Sequence, residues 1–283
     1  MTRKKEKGKE GVRFGDKLLY IVLSIFAVIC LYPVFFTLTS SLKNNTEIFT
    51  EPFSLPRTPQ WENYVRAWTI GKMGVYFKNS IILTAATLFV SAIIGSMASY
   101  ILAKYTFKGK SFVYILFLAG MMIPIQTVII PLAFTFGKLG IVDNFPVLVL
   151  LYSAFCLSMT VFIVTGYMKG LPDELEEAAV MDGAGHGIVF FRIILPLSMP
   201  AIASASIFNF VSAWNNLLFP LVFISKDSMK TISIGLLSFF GAYTSDYGAV
   251  MAAIGVSIIP PIIMYILLQE KMEKGLTAGA VKG

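Results

Sequence analysis

Five carboxylates crowd into ten residues of this chain, at Asp173, Glu174, Glu176, Glu177 and Asp182. The surrounding stretch, residues 170–196, reads GLPDELEEAAVMDGAGHGIVFFRIILP. Its first half carries the signals of a short helix. Pro172 suits the first helical position, where its missing N–H would be unsatisfied in any case. The acidic residues lie near the positive end of the helix dipole. Ala178, Ala179, Val180 and Met181 propagate the helix, and Gly183, Gly185 and Gly187 end it. The chemistry of such a segment is docking. An acidic helix with an apolar face can seat on a basic partner surface, or it can serve as a solvated connector, and the local sequence allows both.

Other chemistry has little to build from. His186 is the single histidine, with no second ligand or base beside it, so it is assigned neither metal binding nor catalysis. Cys30 and Cys156 stand alone inside apolar runs and read as packing residues. No GxxxxGK[ST] phosphate loop is present, so the chain does not hold ATP by that route. No catalytic residue, metal site or cofactor is expected on it.

The elements that must position the acidic segment follow from where charge is missing. Apolar residues make up 56% of the 283 and charged residues only 14%, against about 25% in a soluble domain. Mean hydropathy is +0.75. The charges cluster at the chain ends and between six uncharged runs of 23 to 33 residues. A bilayer core of about 30 Å needs about 20 helical residues, so each run can cross. The expected spans are about 18–42, 79–103, 111–136, 145–168, 197–224 and 247–269, within a membrane domain over 18–270. Residues 1–17 form a basic tail, 43–78 a long outer loop, 169–196 a cytoplasmic loop and 271–283 a second tail. The first run is too long for the apolar part of a cleavable leader and is retained as a helix. A seventh uncharged run, 231–245, is too short to span and is placed outside, as a loop with room for an interfacial helix.

Lysine and arginine set the orientation. With both termini cytoplasmic, fifteen of the 23 basic residues fall inside, which agrees with the positive-inside rule. The net charge of +7 therefore points to anionic lipid and not to nucleic acid. The fold class is an all-α polytopic membrane protein.

The acidic segment resembles the EAA loop of ATP-binding-cassette importer permeases. Glu177, Ala178, Ala179, Asp182, Gly183, Ala184, Phe190, Ile193, Leu195 and Pro196 stand where that pattern asks. The six spans, the long outer loop and the strings WNNLLFP (residues 214–220) and GLTAGAVKG (residues 275–283) are similar to the maltose-type sugar branch. The resemblance implies a type I importer permease with six transmembrane helices in a bacterial or archaeal plasma membrane. It implies a second homologous permease, two ATPase subunits that carry ATP and magnesium, and an extracytoplasmic solute-binding protein. It also implies that residues 172–182 form a coupling helix, with Glu177 against a basic group of the ATPase and Gly183 allowing the turn that seats it.

A sugar path would need uncharged hydrogen-bonding groups. Gln126, Asn209, Trp214, Asn215 and Asn216 are the candidates, because amides both donate and accept. The same side chains could instead bond between helices and hold the bundle together. Pro124, Pro131, Pro260 and Pro261 could break helices to line a cavity or pack without doing so. Another small solute, such as an amino acid or a polyamine, is an alternative cargo. An ion-coupled transporter is disfavoured because the spans lack ionised groups at mid-membrane.

Overall fold

The computed structural model describes residues 14–242 and 246–280. Most of the basic N-terminal tail, and the last three residues of the GLTAGAVKG string, lie outside them. In chain order the helices begin with α1 (Phe14–Ser40), α2 (Asn45–Thr50), α3 (Glu62–Thr69) and α4 (Met73–Lys104). Next come α5 (Lys110–Met122), α6 (Ile125–Lys138), α7 (Phe145–Met168), α8 (Glu174–Met181) and α9 (His186–Val189). After a π turn at Phe190–Ile194 follow α10 (Leu195–Leu197), α11 (Met199–Trp214), α12 (Leu218–Phe223), α13 (Ile232–Ala242) and α14 (Tyr247–Ala280). No strand occurs among the described residues.

Helices α1, α4, α7 and α14 are each long and apolar enough to cross a bilayer unbroken. Two further crossings are bent. Helices α5 and α6 meet at 96°, and the segment His186–Leu197 meets α11 at 70°. Counting each bent pair once gives six crossings.

The break between α5 and α6 falls at Ile123 and Pro124, both extended in ψ. A proline disfavours helical backbone in the residue before it and donates no hydrogen bond itself, so the helix stops there. The expected span 111–136 is thus two helices. The expected span 197–224 is likewise divided, because α11 ends at Trp214 and Asn216 starts α12 by accepting from Phe219 N–H at 3.0 Å. Pro131 sits inside α6, and Pro260 and Pro261 sit inside α14, without ending either helix.

Helix α4 starts at Met73, six residues ahead of the expected span. Its 32 residues make it about 48 Å long, so both ends stand clear of an apolar core of about 30 Å. It has no internal proline and packs most extensively on α7. The α4 face toward the bundle carries small residues: Ser80, Thr84, Thr87, Ser91, Gly95, Ser96 and Ser99 are all buried. Such residues let two backbones approach closely. A Cβ on Gly95 would stand 2.5 Å from Thr160 Cγ2 of α7, so only glycine fits at this contact.

The run 231–245 holds α13 over its described part. Ile232, Ile234 and Phe239 are buried and pack it against the bundle. The long loop 43–78 contains α2 and α3 and is tied by polar bonds at its base. Fully buried Lys43 donates to Glu51 O and Pro52 O at 2.9 and 3.1 Å. Asn63 donates to Ser41 O and Lys43 O, and Arg66 pairs with Asp246 at the start of α14 at 2.8 Å. These bonds moor the C-terminal end of α1, whose most apolar window contains no residue buried within this chain.

Candidate functional site

The acidic loop lies at the end of the bundle opposite the tied base of loop 43–78, where α4 ends and α5 begins. Helix α8 runs Glu174–Met181 and stops in a Schellman arrangement. Gly183 N–H donates to Val180 O and Ala184 N–H to Ala179 O, both at 2.9 Å. Gly183 has φ +85°, the left-handed conformation that glycine adopts without steric cost. Ala179 is buried, in one apolar cluster with Tyr100, Val164, Met168, Val189 and Phe190, and half-buried Ala184 packs against that cluster. Phe190 lies against the Tyr100 ring, with centroids 5.2 Å apart.

The predicted coupling residues thus divide by what they face. Ala179, Ala184 and Phe190 seat the segment against the bundle. Glu177, Ala178, Asp182, Gly183 and Pro196 are exposed. Around the exposed carboxylates stand apolar side chains, with Val180 48% and Met181 87% exposed. Solvated apolar side chains of this size rimmed by charge suit a docking surface.

Three polar bonds fasten this segment to the last turn of α4. Lys104 Nζ donates to Leu171 O and to Asp173 Oδ1, both at 2.6 Å. Tyr100 OH donates to Glu176 Oε2 at 2.8 Å. The hydrogen bond from Lys104, and then its charge, hold the Asp173 carboxyl below the usual carboxylate range. Further along, Tyr105 OH lies 2.9 Å from His186 Nδ1. Sequence reading names Glu176 only as one of the five carboxylates and does not single out Tyr100 or Lys104. Lys104 was visible only as the charge that closes a span, and its partners lie more than 60 positions away.

The polar candidates inside the bundle separate into two groups. Gln126, Asn215 and Asn216 come together in an open recess of about 370 Å³, completed by Ile125, Leu217 and Leu218. It forms where the α5–α6 break meets the junction between α11 and α12, which brings these amides to one place. Asn209 and Trp214 do not line it. Asn209 Nδ2 donates to Thr160 Oγ1 of α7 at 2.8 Å, buried. Trp214 Nε1 donates to Ser257 O of α14 at 3.1 Å. Pro261 cannot supply the N–H that Ser257 O would take in a regular helix, and the indole takes its place. Within this chain both side chains join helices.

A second clasp holds the segment after α12. Asp227 receives Lys72 Nζ at 2.6 Å, Lys230 Nζ at 3.0 Å and Tyr76 OH at 3.0 Å. These donors, Lys72 first, hold its carboxyl well below the ordinary range. Asn79 donates to Ser228 O and Lys230 O at 2.9 Å each. Asp143 accepts from Ser225 and Lys226 N–H and is lowered chiefly by the Lys226 bond. No cluster able to hold a metal ion occurs among the described residues.

Residues 91–278 match the family model described as "Binding-protein-dependent transport system inner membrane component". The chain is 34% identical to the diacetylchitobiose uptake system permease protein NgcG of Streptomyces coelicolor, over 93% of this chain and 88% of that one. It is 33% identical to the probable starch degradation products transport system permease protein AmyC of Thermoanaerobacterium thermosulfurigenes, over 94% and 96% of the two chains. It is also 33% identical to the multiple sugar-binding transport system permease protein MsmG of Streptococcus mutans, over 93% and 96%. In fold it is similar to a chain of a bacterial ABC transporter involved in the import of the acidic polysaccharide alginate. There the TM-score is 0.78 at 24% identity, over 93% of this chain and 99% of that one.

Proposed function

The chain belongs to the family of binding-protein-dependent transport system inner membrane components, and from that premise we propose that it is one of the two permease subunits of an ATP-driven sugar importer. The observation that carries this reading is α8: a short helix, capped at Gly183, packed on the bundle through Ala179 and exposing Glu177, Val180 and Met181. It has the form of a lever whose outer face is left for another protein. That protein is an ATPase subunit, which holds the ATP and magnesium, while this chain itself catalyses nothing. Closure of an ATPase dimer displaces the lever, and rigid elements carry the displacement into the crossings.

Three relatives named for oligosaccharide or sugar uptake support the cargo class. So does the recess, whose amides Gln126, Asn215 and Asn216 offer donors and acceptors without charge. It forms half of a path completed by a second permease, to which an extracytoplasmic binding protein delivers sugar. Both termini lie on the cytoplasmic face of the plasma membrane, the side that carries the excess of lysine and arginine.

The test is co-purification from native membranes with Glu177→Ala and Gly183→Pro beside the wild type, together with ATP-dependent uptake of labelled oligosaccharides. An ATPase bound to the wild type, with binding or uptake lost in the variants, supports the reading. A wild type that carries no ATPase and takes up sugar without ATP refutes it.

A further inference from the structure

Helix α4 is unbroken, without internal proline, and gripped by polar bonds at both ends. At the lever end the grip is Lys104 on Leu171 O and Asp173, and Tyr100 on Glu176. At the far end Lys72, Tyr76 and Asn79 grip Asp227, Ser228 and Lys230, and Ser80 Oγ accepts from Ile232 N–H at 2.8 Å. The gripped segment, 227–232, follows directly on the recess and α12. The other crossings are less suited to carry a push from end to end. Two are bent, by 96° and 70°, and α14 and α1 hold internal prolines. Helix α7 has its proline only at the first turn and is joined to the lever by the chain itself.

Helix α4 has no covalent link to the lever. Its apolar contact through Ala179 and Tyr100 is non-directional and would tolerate sliding. The hydrogen bonds are directional and fix where α8 sits on the last turn of α4. Their chemistry suits a joint under load. The Lys104 side chain is only 5% exposed, so solvent screens its bonds little. Glu176 Oε1 is buried and accepts no hydrogen bond from the described residues, with Lys104 Nζ 3.9 Å away. Lys104 therefore has a second acceptor within a small movement, and a tilt of the lever need not strand the ammonium group.

We infer that Lys104 and Tyr100 are positioning residues that make α4 the rod linking the coupling helix to segment 227–232, which follows the recess-lining residues and α12 in the chain. The inference rests on the importer reading above. Neither residue contacts Glu177, Val180 or Met181 on the exposed face of the lever, and the one exposed carboxylate that Lys104 reaches is Asp173 at its start, so their loss should spare docking and impair transmission.

The experiment uses the whole transporter, with both permeases and its ATPases, in proteoliposomes. Lys104→Met, Tyr100→Phe and Lys104→Arg are compared for bound ATPase, for hydrolysis and for labelled oligosaccharide taken up per ATP. Lys104→Met and Tyr100→Phe should keep the ATPase bound and hydrolysing. Uptake per ATP should fall roughly tenfold for Lys104→Met, the size expected from losing hydrogen bonds to a charged group, and by less for Tyr100→Phe. Lys104→Arg should restore most of it. Tyr100→Phe removes a single oxygen, so it carries the test even if Lys104→Met does not accumulate. Wild-type uptake per ATP in the Tyr100 and Lys104 variants overturns the inference and leaves the importer reading intact. So does a loss of uptake that only tracks release of the ATPase. A wild-type complex without an ATPase overturns both.

Discussion

Gly183 gives the sharpest quantitative prediction. Its φ of +85° closes the lever, and a Cβ there would meet nothing within 4 Å. Substitution therefore brings no clash, and the cost is torsional alone. For an alanine held in the left-handed region that cost is about 1–2 kcal/mol. The capped lever would then be less populated by a factor of roughly 5 to 30. If the ATPase recognises only the capped form, its affinity falls by the same factor. Asparagine tolerates this conformation better, so Gly183→Asn should recover most of the loss. Gly183→Val, with a branched Cβ, should fall below alanine. The assay is titration of purified ATPase onto the permease pair in nanodiscs, with the four side chains compared. Equal affinities across the series would show that the cap does not govern docking, and so would a valine variant that binds better than asparagine.

Trp214→Phe keeps an aromatic ring but strands Ser257 O in a partly buried site. It should destabilise the purified bundle by about 1–3 kcal/mol, read as a lowered Tm, and change sugar affinity little. Gln126→Ala and Asn215→Ala should raise the sugar KM for uptake while ATPase binding stays at the wild-type level, measured by transport kinetics and co-purification. The Asp227 clasp should be insensitive to pH across the neutral range. Its folded carboxyl titrates below the ordinary carboxylate value, so the stabilisation is fully present above about pH 4 and is lost only as pH falls further. Hydrogen exchange of residues 226–230 should then be protected equally at pH 5 and 8 once corrected for intrinsic rates. Asp227→Asn should lose the protection at both.

What could be read in the sequence was whatever is local. The crossings follow from absent charge, and the lever follows from the acidic first turn and Gly183, although α8 starts only at Glu174, so Pro172 precedes the helix and does not occupy its first position. The outcome at each proline was not local. Pro124 ends a helix because Ile123 takes extended backbone and nothing bridges the gap. Pro260 and Pro261 do not end α14, and one carbonyl they free finds Trp214, more than 40 positions earlier. The same distance hid the clasp at Lys104, which nothing near it in sequence distinguishes from any lysine at a membrane boundary. Among the amides, residue type alone could not part Gln126, Asn215 and Asn216 from Asn209. They differ in whether a helix break turns them toward a recess or a neighbour, such as Thr160, takes their bonds. Residues 231–245 were too short to cross, but shortness does not tell a surface helix from one buried through Ile232, Ile234 and Phe239.

The bond from Trp214 to Ser257 also bears on how the chain enters the membrane. A helix with two adjacent prolines leaves backbone carbonyls bare, and in hydrocarbon each costs several kcal/mol. Helix α14 therefore gains from reaching the lipid beside α11, with the indole already in place. The last two crossings are best suited to leave the insertion machinery as a hairpin, making release of the fifth wait for synthesis of the sixth.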